Sequence, residues 1–333
     1  LQFTRPMHSI SRTYSGLILP GSSTFFFVND NGVAITCKHV MELIPAAEQI
    51  NQAFSNYKAE RNYIPNDGKY KRNLQGLELK YKYLPETTVQ LKSNFLNCFD
   101  TIKEIACHPH PTLDLAILEF KGFNKILYTS HASFIKDSGK IKQGKSLCRI
   151  GYPFPEFNNF GHNPDTDDIE WTNTGNPNSP AFPIDGIVTR FAVMHPDSGI
   201  TGIEMSTPGL RGQSGGPLFD TSGIIYGMQH ATNHLHLGFD MKNFEIISNG
   251  RKEKVSNSPF LHVGICVHAD RIKDFLREKN ISFTKIVDTP NETDNIKVDI
   301  KIAKGNMKPF LFFLYFILKL KFFIIIYYAK NPL

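Results

Sequence analysis

The sequence predicts an all-β fold. Short apolar runs of strand-compatible residues are spread along the whole chain, turn residues such as Gly, Asn, Asp and Pro separate them, and long helical periods are scarce. With 333 residues, 41% of them hydrophobic, the chain can bury a sizeable core as one large domain or two modest ones.

Residues 17–40 read as two strands around a turn. Leu17 to Pro20 leads through Gly21-Ser22-Ser23 into Thr24-Phe25-Phe26-Phe27-Val28, and Asn31-Gly32 opens the run Val33 to Thr36. Asn-Gly between apolar runs is a strong hairpin signal. Glu48 to Arg61 is compatible with a helix, and residues 45–75 read as an inserted surface element. Lys69 to Lys92 reads as strands, because Leu77, Leu79, Tyr81 and Tyr83 alternate. An apolar run follows Asp114 (Leu115 to Leu118), and Leu147 to Gly151 reads as a strand ending in a Gly-Tyr-Pro turn. Residues 154–182, rich in Asn, Pro, Gly and Asp, read as a long irregular loop around the single Trp171. Further strands are expected at 186–193, 202–206 and 261–267. Asp270 is placed to cap a helix over 271–278, where Ile272, Phe275 and Leu276 share a face.

Charge and cysteine content restrict the partners. The net charge is +6, but the lysines are scattered among acidic residues with no arginine-rich stripe, so nucleic acid is not an expected partner. The five cysteines are odd in number, irregular in spacing and contain no CxxC pair, which predicts free thiols and a reduced, cytoplasmic setting. Leu1 to Gly16 does not read as a signal peptide. His108 and His110 sit among prolines, and His230, His234 and His236 lack a Cys or carboxylate at zinc-site spacing, so no metal is expected. Residues 281–308 read as a polar linker. The run 309–328 is nearly all Phe, Leu, Ile and Tyr, yet Lys319 and Lys321 fall near its middle. Each would cost about 2.5–3.5 kcal/mol at a bilayer centre. A poor tail anchor, a segment against a membrane or partner surface, and translated sequence outside the protein all stay open.

The stretch with chemistry in it is Gly212-Gln213-Ser214-Gly215-Gly216-Pro217. Glycines free the backbone for a tight loop on which consecutive N–H groups can converge, leaving a serine hydroxyl exposed beside them. On its own this is equally a Gly-rich turn. Two other residues bear on it: His39 at the end of the strand closing on Thr36, and Asp114 beside an apolar run, where a buried carboxylate needs a fixed partner. Histidine, aspartate and serine in that chain order form one of the known arrangements of a nucleophilic triad.

With these motifs the chain resembles the chymotrypsin-like serine peptidases, nearest to their HtrA/Deg-type branch, over residues 17–280. The likeness rests on Thr36-Cys37-Lys38-His39-Val40, Asp114 to Leu118, Gly151-Tyr152-Pro153, Gly186 to Thr189, Gly212 to Leu218 and Gly264 to Val267. It implies two antiparallel six-stranded β-barrels with the site between them, and a C-terminal helix. It also implies a serine endopeptidase with Ser214 as nucleophile, His39 as general base, Asp114 as its orienting carboxylate, the N–H groups of Gly212 and Ser214 as oxyanion donors, and no cofactor. Three departures accompany it. Gln213 replaces an aspartate that would pair with a freshly cut N-terminus, Val40 replaces a disulfide cysteine, and the residues after 280 are too few for a PDZ domain. By the same likeness Pro208, His230, Ala231, Thr232 and Gly264 form the primary substrate pocket. Pro208, where trypsin-type enzymes carry an acid, disfavours Arg or Lys; an apolar or small side chain is expected, and His230 leaves a polar one open. The alternative to an enzyme is a catalytically silent protease-fold scaffold. Oligomeric state is not legible.

Overall fold

The computed structural model describes residues 1–193, 199–248, 251–257 and 259–286. Strand β1 (Thr4–Thr13) lies ahead of the expected start at residue 17 and pairs along its length with β2 (Ile18–Phe27). The Asn-Gly signal holds: Asn29 Oδ1 accepts from the N–H groups of Asn31 and Val33, Gly32 takes φ +76°, and the chain returns as β3 (Val33–Thr36). One helical turn, α1 (Lys38–Met41), leads into α2 (Leu43–Asn62) and α3 (Tyr70–Tyr81). Then β4 (Thr88–Phe95), β5 (Glu104–Pro109) and β6 (Ala116–Lys121) complete an antiparallel sheet of order β4-β1-β2-β3-β6-β5, a six-strand half-barrel.

Helix α3 corrects the reading of Lys69 to Lys92 as strands. Leu74, Leu77 and Tyr81 recur at helical spacing and pack with Phe54 and Tyr57 of α2 and Val89 of β4. Leu79, which completed the apparent alternation, is 79% exposed. Only the end of that stretch is strand.

The second half begins with β7 (Ser133–Ile135) and β8 (Ser146–Gly151). The stretch expected to be irregular holds a hairpin, β9 (Phe160–Asn163) and β10 (Asp168–Trp171), whose Ile169 and Trp171 pack with Phe157 and with Ile10 of β1. The turn-rich composition around those few apolar residues masked it. β11 (Phe182–Ala192), β12 (Gly202–Met205), β13 (Pro217–Phe219) and β14 (Ile224–His236) follow. A hairpin outside the expected strands, β15 (Met241–Ser248) and β16 (Arg251–Asn257), with Asn249-Gly250 between its strands in the sequence, separates β14 from β17 (Phe260–His268). Strands β13-β8-β11-β12-β17-β14 close into a barrel through the β13–β14 pairing, and β7 adds to β14 in parallel. The expected two-barrel architecture is therefore present as one closed barrel and one half-barrel.

Helix α4 (Ala269–Glu278) buries Ile272, Phe275 and Leu276 as expected, but its cap is not Asp270. His268 is the N-cap, its Nδ1 accepting from the Asp270 N–H at 3.2 Å, while the Asp270 carboxylate binds Lys273 Nζ at 2.7 Å. β18 (Thr284–Ile286) pairs with β7 inside the expected linker. Residues 287–308 of that linker and the apolar run 309–328 lie outside the described residues. Among the described residues no helix is long and apolar enough to cross a membrane. One apolar core runs through both barrels, from Phe25, Phe26 and Phe27 to Ile225, Tyr226 and Val267.

Candidate active site

His39 and Asp114 meet where the ends of β3 and β6 lie side by side, Thr36 opposite Ala116. Buried Leu113 and Leu115 clamp the loop on either side of Asp114. His110 braces the same loop: its Nδ1 accepts from the N–H groups of Thr112 and Leu113 at 3.2 and 3.0 Å. Asp114 then receives His39 twice. Oδ1 accepts from the His39 backbone N–H at 3.1 Å, and Oδ2 is 2.8 Å from Nδ1. An ionised carboxylate only accepts, so the proton sits on Nδ1 and Nε2 is left as the basic nitrogen. Burial would raise the Asp114 pKa, but the imidazoles of His230 and His39 and the His39 N–H outweigh it and hold the carboxyl well below the usual carboxylate range. The His39 contact is the hydrogen bond; His230 Nδ1, at 3.6 Å from Oδ2, flanks it.

The serine loop hangs between β12 and β13. Gly212 and Gly215 both take φ +87°, and a Cβ at Gly212 would stand 2.5 Å from Tyr152 O, so neither position accepts a side chain without strain. The Gln213 N–H is spent on Leu210 O at 3.0 Å, and the Gly215 N–H on Gln229 O at 2.9 Å. Among the described residues, the N–H groups of Gly212 and Ser214 have no such acceptor. Two free donors one residue apart beside a serine can stabilise an oxyanion. Ser214 Oγ has no hydrogen bond to His39 among the described residues; His39 is half exposed.

Gln213 is fully buried and braces this loop. Its Oε1 accepts from the Leu210 N–H at 3.0 Å and its Nε2 donates to Phe182 O at 3.1 Å. Thr24 of β2 joins the loop to the first sheet. Its Oγ1 donates to Gly212 O at 2.6 Å and accepts from the Tyr152 N–H at 3.1 Å, and its own N–H donates to Ser214 O at 3.0 Å. Nothing in the sequence around Thr24 signals this role, since its partner Gly212 is 188 residues away.

Beside Ser214 opens a cleft of about 440 Å³. Of the residues expected in the substrate pocket, Pro208, His230, Ala231 and Thr232 line this cleft. Gly264 does not: it backs onto the fully buried Arg149, behind the cleft wall. An arginine in the apolar run Leu147 to Gly151 was the available signal for that buried cation. The donor atoms of Cys37, His39 and Asp114 lie within 4.8 Å of one another. Burial raises the Cys37 thiol well above its ordinary pKa. All five cysteines are free.

A family model for the trypsin-like peptidase domain matches residues 22–228, a span that includes His39, Asp114 and Ser214. The chain belongs to the trypsin-like peptidase family. Among solved structures it is similar to an HtrA-type protease AlgW with tripeptide, at 13% identity and TM-score 0.39, over 83% of this chain and 61% of that one. It is also similar to a substituted form of that protease with tripeptide, at 12% identity and TM-score 0.38, over 82% of this chain and 59% of that one. The chain thus spans less than two thirds of those chains. No curated protein sequence matches it.

Proposed function

We propose that this trypsin-like peptidase domain is a serine endopeptidase acting through an acyl-enzyme. The observation that carries the reading is the His39–Asp114 pair, with the Nδ1 proton fixed at 2.8 Å and Nε2 left basic, in a chain whose serine loop has two unspent N–H donors. Ser214 Oγ attacks the peptide carbonyl while His39 Nε2 takes its proton, and the Gly212 and Ser214 N–H groups receive the oxyanion. The imidazolium, stabilised by ionised Asp114, returns the proton to the leaving amine; water then enters by the same relay and frees Ser214. The open Ser214–His39 link is one that a bound substrate draws closed.

A fluorophosphonate probe tests this. The native chain is expected to label, and Ser214→Ala and His39→Ala are expected not to. A native chain that fails to label, with Ser214→Ala indistinguishable from it, would leave the silent-scaffold reading standing instead.

A further inference from the structure

We propose that the cleft beside Ser214 selects a carboxylate: the residue on the acyl side of the scissile bond is glutamate or aspartate. The proposal rests on the peptidase reading above and takes up the polar alternative that His230 left open. Among the described residues, the titratable side chains lining the cleft are Arg211, His230, His234 and His262, with no acidic residue among them. His234 and His262 face each other across β14 and β17 with their Nδ1 atoms 2.5 Å apart, so their rings are held at the wall. His230 is the member already served by a carboxylate, being 3.6 Å from Asp114. Arg211, directly before the oxyanion glycine, has no acidic partner among the described residues.

The second observation lies behind the wall. Arg149 is fully buried, and all the groups receiving its hydrogens are neutral: Gln229 Oε1 at 2.6 Å, Thr207 O at 2.9 Å, Thr207 Oγ1 at 2.5 Å and Pro208 O at 3.2 Å. Its Nε has no partner, and no carboxylate pairs with the guanidinium among the described residues. A buried cation without a counter-ion is costly, and a protein that keeps one has a use for its field. Two of the residues it grips, Gln229 and Pro208, are themselves cleft wall. A substrate carboxylate there gains a buried guanidinium behind the wall, Arg211 at the mouth and imidazole N–H groups along the side. An apolar side chain gains none of these, and a basic one meets like charge.

The test uses the full chain and fluorogenic peptides that differ only in the residue before the reporter: Glu, Asp, Gln, Ala, Leu and Arg. Glu or Asp is expected to exceed Gln and Leu in kcat/KM by on the order of ten- to a hundredfold, the range for one charged hydrogen bond. Arg211→Gln is expected to lower the Glu-over-Gln ratio by about tenfold on the same scale. Preference for Ala, Leu or Arg, or Gln cleaved as well as Glu, overturns the proposal while labelling of Ser214 leaves the peptidase reading intact. Catalysis can be removed from the question. Ser214→Ala is titrated by calorimetry with two peptide amides ending in Glu or Gln; tighter binding of the Glu peptide supports the proposal, and equal binding overturns it whether or not the native chain cleaves anything.

Discussion

Asp114 illustrates how a single side chain is committed by its surroundings. Its two oxygens take the backbone and the ring of the same histidine, so Asp114→Asn would turn an amide N–H toward a nitrogen that itself carries a proton, and His39 would favour the wrong tautomer. On the proposed mechanism, kcat falls by on the order of 10⁴ while the fold is kept; steady-state kinetics beside a circular dichroism spectrum checks both halves. The same site has a pH signature. The folded state holds the Asp114 carboxyl below its ordinary range, so its contribution to stability is present above that range and is lost as pH falls through the folded value. The Tm advantage of the native chain over Asp114→Asn should therefore be full at pH 7 and shrink in acid; a gap that widened in acid would contradict the ion pairing. His39, Asp114 and Ser214 were legible because each residue type is unusual in its setting: a histidine just past a strand end, an acid beside an apolar run, a serine among glycines. His110 and Thr24 were not, because what they do depends on backbone groups that only the fold brings to them.

At the scale of elements, most strands that alternate or carry a turn signal were legible; the exceptions fall where two periods overlap or composition misleads, and at β15 and β16, where Asn249-Gly250 stands beside the charged run Arg251 to Lys254. Over 70–81 the residues satisfy both alternation and helical spacing, and packing against Phe54 and Tyr57 decided for the helix. β1 escaped notice because its polar residues are buried by pairing on both sides, with His8 opposite Ser22 on β2 and Asn94 on β4. His8 is also where β1 sets the acid stability. It is buried, stacked at 4.1 Å on Phe157, its Nε2 without a partner among the described residues, and burial lowers its pKa from 6.5 to about 4. The unfolded chain binds the proton first as pH falls from 6.5, so stability present above 6.5 is lost progressively down to about 4. The full loss is about 3 kcal/mol. Urea titrations at pH 7 and pH 4 should show His8→Leu losing less stability than the native chain by about that amount; equal losses would mean that His8 is protonated in the folded state.

At the scale of the whole molecule, the two barrels are coupled by apolar packing and by hydrogen bonds, among them those of Thr24, of Tyr152 Oη to Thr4 O and of Cys37 Sγ to Gln229 O. The apolar coupling is the shared core, in which Phe26 of β2 meets Phe134 of β7 at 6.4 Å between ring centroids. Removing one hydroxyl leaves that core intact, so the barrels should still unfold as one cooperative unit. The polar coupling is more local. Thr24 Oγ1 satisfies Gly212 O and the Tyr152 N–H at once, and Thr24→Val, nearly isosteric, would leave both part-buried groups without that partner, at the low end of about 1–3 kcal/mol each. Two reporters separate the couplings. Trp171 packs with Phe157 and Ile10 and senses the β1 side, whereas fluorophosphonate labelling of Ser214 senses the loop. In the native chain both signals should vanish at the same urea concentration. In Thr24→Val the labelling should be slower in native buffer, by on the order of a hundredfold for a loop displaced by about an ångström, and should fade at lower urea than the Trp171 signal. Coincident loss in the variant, with the native labelling rate, would mean that the first sheet merely abuts the nucleophile loop; separated loss would show that one threonine of the first sheet holds the catalytic loop of the second.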